Sequence, residues 1–225
     1  MMRKAMDAFS LYVFLLGFAV FLPERAGAQE ADVPVIVAFG DSLTQGYGLV
    51  PEDGFVPQLA GWLGEQGVPV RIINAGQSGD TTAGGLSRVA WTLTPDVDGM
   101  IVALGGNDVL RGIDPASSRD NLEGILGAAA EAEVPVLLIG LQAPGNYGPA
   151  YKAQFDAIFP ELAEAFGTRY APDFFAGFAD SSGDLNAARV LMQPDGIHPN
   201  AKGVARIVDA LGPSVLRLVT DIQGD

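Results

Sequence analysis

Two kinds of apolar pattern alternate along this chain. Runs rich in Val, Ile and Leu, without polar alternation, cover Val33–Phe39, Val68–Asn74, Val97–Leu104 and Val134–Leu141, with a weaker one at Thr168–Ala171. Short continuous apolar runs of this kind are how strands covered on both faces read. Between them the apolar residues fall at helical spacing. Phe55, Leu59, Trp62 and Leu63 share one helical face, and Gly67 followed by Pro69 ends that helix. Asp114 before Pro115 supplies an N-cap and a first-turn proline for a second helix. Pro149–Phe166 predicts a third, which Pro160 is expected to kink or divide. Ala201–Val219 carries Val204, Ile207, Val208 and Leu211 on one side, and Thr220–Asp225 reads as a loose tail. Trp62 and Trp91 both sit in helical patterns and are expected to pack inside.

This alternation predicts an α/β domain of three layers, a parallel sheet of about five strands between two layers of helices. The N-terminus stands apart from it. Arg3 and Lys4 precede the apolar stretch Phe9–Leu22, and small residues follow at Ala26 and Ala28. That stretch is shorter than the roughly 20 residues a bilayer-spanning helix needs. It predicts a secretory signal, residues 1–28, cleaved after Ala28, with an uncleaved amphitropic anchor as the alternative. Residues 29–225 are then the single mature domain, exported to the periplasm or the medium, without a stable membrane anchor.

Composition narrows the chemistry. There is no cysteine and one histidine, His198. Disulfides, a thiol nucleophile and zinc sites built on several imidazoles are thereby excluded. A formal charge of −14 argues against nucleic acid as a partner.

In such a fold, function gathers on the loops beyond the carboxyl ends of the strands. Four segments there are unusual: Gly40-Asp41-Ser42-Leu43, Asn74–Thr81, Gly105-Gly106-Asn107-Asp108 and Asp195–Asn200. Each alone has a structural explanation, and Ser42 in particular is an ordinary residue with which to start a helix. Together they bring a hydroxyl, an amide, flexible backbone N–H groups, a carboxylate and the only imidazole to one rim. Acyl transfer to water needs that set. A serine hydroxyl is a poor nucleophile until a base takes its proton. His198 is the only side chain here whose ordinary pKa lies near neutrality. Asp195, three residues earlier, can hold the other ring nitrogen. The backbone N–H groups of Ser42 and Gly79 and the Asn107 amide can receive the oxyanion.

The four segments GDSLTQGYG, NAGQSGDTT, GGND and DGIHPN resemble, in order, the four blocks of the SGNH hydrolases, the GDSL lipase/esterase family. The likeness spans roughly Val33 to Leu218. It implies a flavodoxin-like sheet and places nucleophile, oxyanion and acid/base roles on the residues just named. Gly140–Phe155 resembles the bacterial multifunctional group acting as arylesterase, thioesterase and lysophospholipase. In that group the loop equivalent to Pro144–Tyr151 borders the acyl groove. The resemblance implies substrate contacts from Asp41, Leu43, Pro144, Asn146, Tyr147 and Ile197, and a small acyl ester or thioester as the partner. It implies no metal or cofactor, and a monomer is expected. Three other readings stand beside it. One is a carbohydrate O-deacetylase of the same family. Another is a magnesium-dependent phosphoryl-transfer or receiver-like domain using Asp41, Asp80 and Asp108. The last is an exported binding protein without catalysis.

Overall fold

The computed structural model describes residues 33–178 and 189–224. The expected leader, residues 1–28, lies outside them. Five parallel strands form one sheet: β1 (Val35–Gly40), β2 (Arg71–Gly76), β3 (Gly99–Ala103), β4 (Val136–Ile139) and β5 (Arg169–Ala171), in the order β2-β1-β3-β4-β5. Each lies within an expected run or a few residues beyond it. β1, β3 and β4 are buried throughout, which is why their sequences are apolar without alternation. β2 is an edge strand and is partly exposed.

The helices are α1 (Ser42–Gln45), α2 (Phe55–Glu65), α3 (Thr82–Thr92), α4 (Gly106–Arg111), α5 (Pro115–Glu131), α6 (Pro149–Phe166) and α7 (Ala201–Gly224). α2 and α7 pack against each other in one helical layer, and α3, α5 and α6 pack in series in the other. Asp114 caps α5 through the Ala116 N–H, with Pro115 in the first turn. The three layers enclose one continuous hydrophobic core.

Three expectations are corrected. Pro160 does not divide α6, because Phe155, Ile158, Phe159, Leu162 and Ala163 bury the helix face on both sides of it. Packing of that face outweighs the one hydrogen bond a proline forfeits. The tail is not loose. α7 continues through Gly224, Ile222 packs on the core, and Asp221 pairs with Arg169. Trp62 packs inward, its ring so close to Gly212 that a Cβ there would lie 2.8 Å away. Trp91, however, is 86% exposed. The buried stripe of α3 runs through Thr82, Gly85 and Val89. Two residues past Val89, at ~100° each, place Trp91 on the opposite side.

Candidate active site

Sheet order reverses between β1 and its neighbours β2 and β3, and such a switch point opens a crevice beyond the strand ends. The chain leaves β1 at Gly40 and turns directly into α1. Asp41 is the N-cap, its Oδ1 accepting the Leu43 N–H at 3.0 Å, so Ser42 is the first helical residue. The two roles weighed for Ser42 are therefore compatible: it starts a helix, and its hydroxyl meets the imidazole. His198 Nε2 lies 2.9 Å from Ser42 Oγ, and His198 Nδ1 lies 2.6 Å from Asp195 Oδ2. Asp195 Oδ1 also accepts the backbone N–H groups of Ile197 and His198 at 2.9 and 3.0 Å. Those bonds, the imidazole's first among them, hold the Asp195 carboxyl down at about 2. With its carboxylate charged, Nδ1 keeps the hydrogen and Nε2 is left to face Ser42.

The other donors come from the ends of β2 and β3. Gln77–Asp80 form a turn closed by the Asp80 N–H on the Gln77 carbonyl at 3.1 Å, with Gly79 at φ +81°. That is the glycine position of a type II turn, and the turn's own bond leaves the Gly79 N–H unused. Asn107 stands in the first turn of α4, its Nδ2 3.4 Å from Asp41 Oδ2. Asp41 is 1% exposed. Burial pushes its carboxyl up from 3.8 to about 6, against the opposing pull of the Leu43 N–H, the His198 charge and the Asn107 amide.

Two residues to which the sequence analysis gave no role hold this rim together. Arg88, from α3, donates to the Gly40 and Ala75 carbonyls, both at 2.9 Å, and pairs with Asp80 at 2.7 Å over the Phe39 ring. It thus ties the ends of β1 and β2 to the Gly79 turn. Gln193 Nε2 donates to the carbonyls of Tyr47 at 2.8 Å and Pro199 at 2.9 Å, while its N–H donates to the His198 carbonyl at 2.7 Å. An arginine in a helix of small residues was a faint sequence signal for the first. Nothing in the pattern marks the second.

The three carboxylates weighed as metal ligands do not converge. Asp41 caps α1. Asp80 pairs with Arg88. Asp108 is fully buried and accepts from the Thr82 N–H at 2.9 Å, Thr82 Oγ1 at 2.5 Å and Ser118 Oγ at 2.9 Å. Among the described residues no three metal-ligating side chains come together.

A cleft of about 810 Å³ opens beside Ser42 and Asn107. Of the expected substrate contacts, Asp41, Leu43, Pro144 and Ile197 line it. Asn146 and Tyr147 do not. Tyr147 instead lies on Gly112 and directs its hydroxyl to the Leu110 carbonyl at 3.4 Å, pinning the loop to α4. The apolar wall comes largely from residues to which the sequence analysis gave no role at the site: Val109, Leu110, Leu141, Phe175, Phe178 and Met192. Asp156 holds one rim by accepting the Ala143 N–H at 2.8 Å, with Lys152 bridging Asp156 and the Ala143 carbonyl.

An imidazole between a serine hydroxyl and a carboxylate, at the switch point of a parallel sheet, is the arrangement of a serine hydrolase. Comparison with known proteins agrees. The sequence profile of the GDSL-like lipase/acylhydrolase family matches residues 38–206, and the chain belongs to that family. It is similar to Esterase TesA of Pseudomonas aeruginosa, 35% identical over 192 residues, 85% of this chain and 92% of that one. It is also similar to the Escherichia coli K12 protein named thioesterase 1/protease 1/lysophospholipase L1, 33% identical over 204 residues, 90% of this chain and 91% of the other. Among solved structures, the SGNH-hydrolase family esterase AlinE4 superposes with a TM-score of 0.68 at 44% identity, covering 82% of this chain and 96% of its own.

Proposed function

We propose that this protein is an exported serine esterase that hydrolyses acyl esters, with aryl esters, thioesters and lysophospholipids as its substrate range. The observation that carries the reading is Ser42 Oγ at 2.9 Å from an imidazole whose other nitrogen is held by Asp195. His198 takes the hydroxyl proton as Oγ attacks the carbonyl carbon. The oxyanion is received by the N–H groups of Ser42 and Gly79 and by Asn107 Nδ2. The tetrahedral intermediate collapses as His198 gives its proton to the leaving oxygen or sulfur, leaving an acyl-serine. Water, deprotonated by the same imidazole, then releases the acid and restores Ser42.

The apolar cleft supports an acyl chain as the occupant of this site. The substrate range is drawn from what the relatives are named for, thioesterase and lysophospholipase in one and arylesterase in a Vibrio mimicus relative 30% identical over 206 residues. Export rests on the pattern of residues 1–28; among the described residues no helix is long and apolar enough to cross a membrane. The test is hydrolysis of p-nitrophenyl esters from acetyl to palmitoyl, with Ser42→Ala in parallel. The parent is expected to turn over medium chains best, and the variant to lose on the order of 10⁴-fold in kcat. A profile confined to acetyl would favour the O-deacetylase, and turnover that Ser42→Ala leaves intact would overturn the mechanism.

A further inference from the structure

An ester has two halves, and the 810 Å³ cleft accounts for one of them. The other half must leave past His198 Nε2, because the proton that frees it comes from that atom. Neither His198 nor Tyr47 lines the acyl cleft. What lies against the imidazole is the Tyr47 ring, its centroid 4.6 Å from that of His198 and the two planes tilted by 36°.

Tyr47 is 52% exposed, so only part of its ring is covered by protein. It borders the small void shared by Ser42 and His198 and also a separate hollow of about 380 Å³. That hollow is walled by Leu49, Val50, Pro51 and Pro57, with Gln45 and Asn74 as its polar members. The ring's backbone is fixed before any substrate arrives. Gln193 Nε2 bonds the Tyr47 carbonyl at 2.8 Å and the Pro199 carbonyl at 2.9 Å, so one side chain fastens the Tyr47 loop to the His198 loop. Gly48, at φ +76°, lets the chain pass so close to the Gln193 amide that a Cβ there would collide with it. An exposed aromatic ring held beside the proton donor needs an explanation other than core packing.

We propose that Tyr47 is the platform for the leaving group and selects flat aromatic alcohols and thiols over aliphatic ones. This rests on the assignment of Ser42 and His198 above. A planar leaving group lies along the exposed part of the ring and extends toward the hollow. Its oxygen or sulfur stays within reach of Nε2. Offset aromatic stacking supplies the preference, and the Gln193 tie removes the entropy of ordering the platform.

The test compares phenyl and cyclohexyl esters of one acyl chain on the full mature protein, for the parent, Tyr47→Leu, Tyr47→Phe and the control Trp91→Ala. The quantity read is the ratio of kcat/KM for phenyl over cyclohexyl in each variant against the same ratio in the parent. Intrinsic reactivity of the two esters cancels in that comparison, and kcat/KM reports acylation, the half-reaction in which the leaving group is present. Tyr47→Leu is expected to lower the ratio about fivefold, the size of a lost aromatic pair. Tyr47→Phe should preserve the ratio, and Trp91→Ala should leave both esters unchanged. An equal loss on both esters would make Tyr47 only a support for the imidazole and overturn the proposal, as would no loss on either. Failure of the underlying mechanism is read separately, as hydrolysis that survives Ser42→Ala.

Discussion

Asp41 carries a carboxyl into the core beside Ser42, and pH sets what that costs. Its group titrates near 6 in the fold, pushed up from 3.8 by burial. The folded chain therefore holds this proton more tightly than the unfolded one. As pH rises, the unfolded state releases it first, and the stability it represents drains away. The contribution is whole below about pH 4 and is lost through pH 6. Two pKa units at about 1.36 kcal/mol each make roughly 3 kcal/mol. Asp41→Asn removes the titration and keeps the cap through its Oδ1 on the Leu43 N–H, giving up only the long 3.4 Å contact with Asn107 Nδ2. The variant is expected to match the parent at pH 4 and to exceed it by about 3 kcal/mol at pH 7.5. Urea unfolding followed by circular dichroism at pH 4, 5, 6 and 7.5 measures the difference. A gap that fails to widen with pH, or a variant less stable at pH 7.5, would refute burial as the cause of the shift.

Asn107→Ala should cost about 10²–10³-fold in kcat with KM little changed, as a donor used in the transition state does; stopped-flow or steady-state assay with a p-nitrophenyl ester decides it. Asp108→Ala strands the Thr82 N–H, Thr82 Oγ1 and Ser118 Oγ in a buried site. It should therefore destabilise the fold by about 3–5 kcal/mol, seen as a lower urea midpoint. A midpoint unchanged from the parent would mean that water reaches those groups.

The sheet was legible because its inner strands are buried on both faces and their sequences need not alternate. That Ser42, His198 and Asn107 would gather on one rim was legible because glycine, asparagine and aspartate cluster where strands end. What escaped did so for identifiable reasons. The buried stripe of α3 is built from Thr82, Gly85 and Val89, so its hydrophobic pattern is faint and Trp91 looked like the core residue it is not. The cleft wall draws Leu141, Phe175 and Met192 from separate loops, and such convergence has no period along the chain. Arg88 and Gln193 act on backbone carbonyls of other segments, and a carbonyl belongs to every residue alike. Tyr147 sat in the loop expected to border the acyl chain, but its ring is spent on Gly112 and α4.

Ser42, Gly79, Asn107 and His198 come from four segments spread across most of the chain, and each is set in place by a different turn. No stretch of the polypeptide holds two of them at reacting distance by itself. During synthesis the Ser42 hydroxyl emerges early and the His198 imidazole late, just ahead of α7. On the proposed mechanism a nascent or extended chain is therefore chemically silent until the Asp195–Asn200 loop brings the imidazole to Ser42. The same dispersion makes activity a reporter of complete folding, one that a truncated or half-assembled molecule cannot counterfeit.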